Sequence, residues 1–262
     1  MNTLNHPVGA LLRQWRQRRR LSQLDLACEA DISTRHLSFV ETGRAQPSRD
    51  MLLHLAERLD IPLRERNRLL TAAGYAPLYS QHGLDDPALA AARAAIEQLL
   101  KAHEPYPALT IDRQWNLLAA NAAVAPFLVG LPAELLGPPL NVLRVSLHPD
   151  GLAPRIVNLA QWRAYLLMRL QHDIGRSGDP QLLALQEELL GYPAPAERVE
   201  AVAESVLMPL QFRTERGVLS LISTITVFGT PNDVTLAELA LETFFPADAA
   251  SAQLLRALAA EG

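Results

Sequence analysis

The sequence predicts an α+β protein in two parts, an all-α N-terminal segment of five short helices and a larger α+β segment built on an antiparallel five-stranded sheet. Three observations carry this. The length of 262 residues exceeds the ~100 to 200 residues that one domain commonly holds. Up to residue 74, apolar residues recur at helical spacing, interrupted by capping and turn residues, with no strand-like alternation. Beyond residue 107, short runs of β-branched and aromatic residues bounded by turn residues occur near both ends of the remaining chain. The divisions that follow are 1–75 for the first domain, 76–87 for a linker and 88–262 for the second domain.

In the first segment, Val8, Leu11, Leu12 and Trp15 form the apolar face of a helix that ends in the run Arg16 to Arg20. Ser22 is placed to cap a second helix, SQLDLACEA, with Leu26 and Ala27 inward and Gln23 in its first turn. After a tight turn at Asp31-Ile32, Ser33 caps a third helix, TRHLSFVE. Its Leu37 and Val40 point to the core, while Arg35, Ser38, Phe39 and Thr42 share the opposite face with Thr34 at its edge. Gly43 stops it. Pro47-Ser48 opens a fourth helix with the stripe Met51, Leu52, Leu55, Ala56 and Leu59, and Pro62 to Ala73 form a fifth that ends at Gly74.

Composition narrows the function classes. No apolar run approaches the ~20 residues of a bilayer span, and the basic residues of MNTLNHPVGALLRQWRQRRR follow the apolar ones, the reverse of a secretory leader. A cytoplasmic protein without membrane contact is expected. The single cysteine, Cys28, forms no internal disulfide, and its helical context predicts a small buried hydrophobe. The net charge of −4 is unevenly spread: residues 1–74 hold twelve Arg against eight Asp and Glu, whereas the rest hold twelve basic against twenty acidic residues. A basic end on an acidic body suits a protein that sets one end on phosphates.

The stretch RRLSQLDLACEADISTRHLSFVETGRAQPSRDMLLHLAERLDIP resembles the XRE (Cro-type) family of phage-repressor helix-turn-helix domains over roughly residues 9 to 74. The LSQ-x-x-LA opening, the turn, E-x-G-R and the P-S before the fourth helix carry it. Asp31 stands where the family usually has Gly, and Asp tolerates left-handed backbone better than most residues. The resemblance implies a lambda-repressor-like fold and a double-stranded DNA operator as partner. It places Thr34, Arg35, Ser38 and Phe39 against base edges, with Arg35 suited to guanine and Phe39 to a thymine methyl. Gln23, Ser33 and Arg44 match positions that touch phosphates. Arg16 and Glu41 match a salt-bridged pair between the first and third helices.

In the second segment, Ala88 to Ala102 read as a helix. Ala108 to Ile111 and Trp115 to Leu118 read as two strands joined around Asp112-Arg113, with Asn121 placed to cap a helix running to about Leu128. Helices are expected around Arg155 to Ile174, Pro180 to Leu190 and Ala196 to Val206. Three further strands are expected at about 206–214, 218–228 and 234–244, the first two joined at Glu215-Arg216-Gly217. A hairpin followed by a helix is how a PAS-like sensor domain begins. The whole chain, and above all NVLRVSLHPDGLAPRIVNLAQWR at 141–163, resembles the MmyB-like regulators. That resemblance implies a PAS-like ligand-binding domain for small, largely apolar molecules such as fatty acids. An apolar pocket with a few orienting polar groups is expected. Trp115, Phe127, Trp162, Tyr165, Phe212 and Phe228 are candidates to line it, and His148, Arg163 or Arg169 to meet a carboxylate.

Catalytic motifs are missing from the sequence. There is no glycine-rich phosphate loop, no Gly-x-Ser-x-Gly elbow and no His-x-x-x-His pair, and the seven histidines lack metal-ligand spacing. The expectation is therefore a homodimeric, ligand-responsive regulator with no catalytic residues, metal or cofactor. The alternative is a DNA-binding repressor whose second domain serves only dimerisation or partner-protein binding.

Overall fold

The computed structural model describes residues 7–193 and 208–259. They divide into two compact units, the first made mainly of residues up to Gln81 and the second of the rest.

The first unit holds the five expected helices, α1 (Pro7–Arg18), α2 (Gln23–Glu29), α3 (Thr34–Glu41), α4 (Arg49–Arg58) and α5 (Leu63–Ala72). Serine starts three of them. Ser22 Oγ accepts from Asp25 N at 3.1 Å while Asp25 Oδ2 accepts from Ser22 N at 2.8 Å, a reciprocal box that satisfies two otherwise unpaired amides. Ser33 Oγ accepts from His36 N at 3.1 Å, and Ser48 Oγ from Met51 N at 3.2 Å. Asp31 lies at φ 50°, so the departure from glycine in the turn is absorbed by a left-handed aspartate. The apolar faces close on one core that includes Leu12, Trp15, Leu26, Leu37, Val40, Leu55, Leu59 and Leu69. Cys28 is exposed, contrary to expectation. Leu26 and Ala27 take the buried face of α2, and at ~100° per residue the next position turns away.

The second unit is built on a five-stranded antiparallel sheet of order β2-β1-β5-β4-β3. Its strands are β1 (Ala108–Ile111), β2 (Leu117–Ala120), β3 (Leu210–Thr214), β4 (Gly217–Val227) and β5 (Ala240–Pro246). Around it lie α6 (Ala90–Ala102), α7 (Ala125–Leu128), α8 (Ala133–Leu136), α9 (Val142–Leu147), α10 (Leu159–Ser177), α11 (Pro180–Gly191), α12 (Val234–Ala237) and α13 (Ala249–Ala259). Leu109, Ala240 and Phe244 pack toward the main core with Leu143, Trp162, Leu166, Leu185 and Leu219. Ala108 and Leu241, one residue out of phase in the pleat, pack on the opposite face with Ile96 and Leu100 of α6.

Four local expectations are corrected. The second strand starts at Leu117 rather than Trp115, because Asp112 Oδ1 accepts from both Gln114 N (2.8 Å) and Asn116 N (2.9 Å) and Trp115 turns left-handed at φ 66°. The last strand starts at Ala240 rather than 234, since residues 234–237 form the single turn α12, which buries Val234. The long helix starts at Leu159, after a 3-10 turn at Ala153–Arg155 and a bridge from Ile156 to Phe212. Asn121 does hold the N-cap position of a 3-10 turn, Ala122–Val124, that leads into α7, but its side chain makes no cap bond. Its Oδ1 accepts from Ala108 N at 3.0 Å and its Nδ2 donates to Leu100 O at 3.1 Å and Tyr106 O at 2.8 Å, tying α6 to β1 inside the protein. The helix expected at 196–206 and the first residues of the strand expected at 206–214 lie outside the described residues.

Candidate functional site

The first site is the outer face of α3. Leu37, Val40 and Glu41 are buried on the inner side, so helical geometry turns Arg35, Ser38 and Phe39 outward, with Thr34 at the entry. Arg35 is exposed, and its guanidinium lies 5.4 Å above the Phe39 ring. Ser33 is exposed and Arg44 is exposed just beyond the helix end, where Phe39 O accepts from Arg44 N at 2.8 Å and Ala45 N at 3.1 Å. Gln23 is half-buried and its amide is directed inward, donating from Nε2 to Glu41 Oε2 at 2.8 Å.

Glu41 anchors this face. Arg16 meets it bidentately, Nε to Oε1 at 2.6 Å and Nη2 to Oε2 at 2.9 Å, and Arg16 Nη1 donates to Leu21 O at 2.7 Å. The pair fixes α3 against α1, and the hydrogen bonds to Glu41 hold the Arg16 guanidinium charged more firmly than in water. At Gly9 of α1 the two helices come so close that an added Cβ would sit 2.3 Å from Val40 O.

The second site is a cavity of about 110 Å3 in the second unit. For scale, an engineered apolar cavity of about 150 Å3 holds a benzene. Leu109, Trp115, Leu117, Phe127, Leu143, Val145, Trp162, Leu166, Leu221 and Phe244 are among its lining residues, and among the described residues only Ser146 and Glu242 bring polar side chains to the wall. Trp162 Nε1 donates to Ser146 Oγ at 3.0 Å, and Trp115 Nε1 to Asp173 Oδ2 at 3.1 Å, so both indoles are held by their polar edge with the apolar body toward the cavity.

Of the expected lining residues, Trp115, Phe127 and Trp162 meet at this wall and the others lie elsewhere. Phe212 is 1% exposed and packs in the solid core, between the Phe127 ring at 5.1 Å and the Arg155 guanidinium at 4.4 Å. Tyr165 stands behind Trp162, ring to ring at 5.4 Å. Phe228 follows the end of β4 and packs with the cluster on the other face of the sheet. The three carboxylate candidates are also away from the wall. His148 ends α9, accepting from Asp150 N at 3.1 Å with its ring against Tyr192, and Arg163 donates to Leu189 O at 3.0 Å and Leu190 O at 3.2 Å, closing the end of α11. Arg169 pairs with Glu242 at 2.8 Å and lies 4.5 Å from the Trp115 ring. Glu242 itself escaped the sequence reading. The available signal was the strand alternation in ALETFFP, which puts Glu242 on the same face as Ala240 and Phe244.

No curated protein matches the chain. Residues 7–69 match a family model for a helix-turn-helix domain. Residues 92–258, well over half of the chain, match the MmyB-like transcription regulator ligand binding domain. With a helix-turn-helix whose third helix is locked by an ion pair and a second unit hollowed by an apolar cavity, the chain belongs to the MmyB-like transcription regulators.

Proposed function

We propose that the protein is a cytoplasmic regulator of the XRE type that binds a two-fold DNA operator as a homodimer and responds to a small, largely apolar effector in a PAS-like second domain. Residues 1–75 then serve as the DNA-binding domain, 76–87 as the connection and 88–262 as the effector and dimerisation domain. The observation that carries the reading is the apolar cavity, lined by Trp115, Phe127 and Trp162, in a chain that also presents the outer face of α3.

On DNA, α3 enters the major groove with Thr34, Arg35, Ser38 and Phe39 toward base edges. Ser33 and Arg44 hold phosphates. Gln23 contributes at the α2 terminus with the amide hydrogen not used on Glu41. Selection of bound duplexes from a random pool is expected to return a palindrome with half-sites about one helical turn apart. On that operator Arg35→Ala should cost ~1 to 3 kcal/mol and relax preference at one base pair, while Arg44→Ala should weaken all sequences alike and flatten the salt slope by about one. Fluorescence anisotropy at several salt concentrations separates the two. Identical behaviour of both variants refutes the division of roles.

An effector acts by differential binding to the two operator-binding states. Scaled at ~24 cal/mol per Å3, a cavity of about 110 Å3 corresponds to roughly 2.6 kcal/mol, the scale of stabilisation expected from filling it. At ~2 to 4 °C per kcal/mol, a filling ligand is expected to raise the melting temperature of this unit by roughly 5 to 10 °C. Val145→Phe, which places a ring in the cavity, should abolish most of that ligand-induced shift in scanning calorimetry. A full shift in the variant would place the effector elsewhere.

A further inference from the structure

We propose that the cavity selects ligands whose polar head is an uncharged hydrogen-bond donor, a hydroxyl or an amide N–H, over ligands that end in a carboxylate. This rests on the reading of the cavity as the effector site and narrows it to a chemical class.

Among the described residues the wall is apolar except at two side chains. Glu242 of β5 is 5% exposed and stands between Ala240 and Phe244 on the inner face of the sheet. Its Oε1 accepts from Arg169 Nη1 at 2.8 Å, and its Oε2 has no hydrogen-bond partner among the described residues. Ser146 of α9 is the other. Its Oγ accepts from Trp162 Nε1 at 3.0 Å, which leaves the hydroxyl hydrogen to donate. One open acceptor and one open donor on an otherwise apolar surface complement a group that both donates and accepts. A hydroxyl and an amide do so.

A carboxylate head meets the opposite situation. Among the described residues, Arg169 already has its charge matched by Glu242 and is held against the rings of Trp115 at 4.5 Å and Tyr165 at 5.6 Å, while Arg155 lies over the Phe212 ring at 4.4 Å, and neither guanidinium is in the lining. Neither Arg163 nor His148 lines the wall. An anion brought beside Glu242 loses its water and faces a like charge. An ammonium head brings an unbalanced charge to a pair that already sums to zero. The neutral donor satisfies Glu242 Oε2 without adding charge. The helical spacing of Trp162, Leu166 and Arg169 on α10 builds both parts of the device: the first two line the cavity, and the third fixes the carboxylate one turn further on.

The test uses the full-length protein with Trp115 and Trp162 as fluorescence reporters in the wall. Butan-1-ol, butanamide and butanoate, each no larger than a benzene, are titrated at pH 8, where butanoate is ionised. Butan-1-ol and butanamide are expected to bind at least tenfold more tightly than butanoate, and Glu242→Gln to narrow that gap at least threefold by removing the like charge. Butanoate binding as tightly as the neutral pair in the wild-type protein overturns the proposal and leaves the cavity as an effector site. So does an undiminished gap in a Glu242→Gln protein that keeps the wild-type circular dichroism spectrum. Failure of all three probes to bind overturns the proposal together with the reading on which it rests. The wild-type ranking decides even if the variant does not fold.

Discussion

Glu41→Ala is expected to remove about 3 to 5 kcal/mol from the stability of the first unit, because it strands the Arg16 guanidinium at 8% exposure with its main partner gone. Domains of this kind are stable by only ~5 to 15 kcal/mol, so the variant sits near its unfolding threshold. The loss is local in origin. Arg16 keeps its bond to Leu21 O at 2.7 Å, but the two bonds of 2.6 and 2.9 Å that tie α1 to α3 disappear, and Gln23 loses its acceptor at the α2 terminus. Hydrogen exchange in the full chain should therefore show faster exchange across α1 to α3, and operator binding should fall with it. The double variant Arg16→Met, Glu41→Leu discriminates a packing role from a chemical one. Replacing a buried pair by apolar residues of similar volume is often neutral or stabilising, so the double variant should recover most of the stability lost by Glu41→Ala. A single-variant loss below about 1 kcal/mol would contradict the burial of the pair.

How far the sequence reveals this molecule depends on whether a feature is local. The five helices of the first unit are legible because each carries its own start signal, such as Ser22, Ser33 or Ser48, and its own apolar stripe. The five strands are legible as alternating runs, but their ends shift where side chains override propensity. Asp112 builds a turn that moves the start of β2, and residues 234–237 coil into α12 ahead of β5. Asn121 misleads because its buried bonds reach Leu100, Tyr106 and Ala108, partners that only tertiary structure supplies.

The candidate sites divide the same way. The outer face of α3 follows from helical period alone, so its members are placed together as expected. The cavity is assembled from β1, β2, β4, β5, α9 and α10 among others, and no one-dimensional pattern says which aromatics meet there. Aromatic type picks out Trp115, Phe127 and Trp162 but cannot tell them from Phe212, which fills solid core, or Phe228, which faces the other side of the sheet. Charge misleads further. Arg169 invites pairing with a ligand, yet its partner, Glu242, is 73 residues away in the chain.

Gly9→Ala is the second large effect, and two opposing terms decide its sign. In a helix interior alanine is favoured over glycine by roughly 0.5 to 1 kcal/mol, so propensity alone predicts stabilisation. At Gly9 the new Cβ would lie 2.3 Å from Val40 O and 2.7 Å from Glu41 O, both backbone atoms that no rotamer change can clear. Overpacking against yielding side chains costs typically 1 to 3 kcal/mol, and here α1 itself must move away from α3. That movement also stretches the bidentate Arg16–Glu41 contact, whose short bonds depend on the same approach. Sterics therefore win, with an expected loss of about 3 kcal/mol or more and weaker operator binding through a displaced α3. Gly175→Ala in α10 supplies the contrast, since its added Cβ meets nothing within 4 Å and propensity acts unopposed there. Thermal melts should move in opposite directions, down for Gly9→Ala and up by a few degrees at most for Gly175→Ala. If both variants melt higher than wild type, α1 and α3 do not approach as closely as Gly9 requires, and the anchoring of the α3 face must be assigned to the ion pair alone.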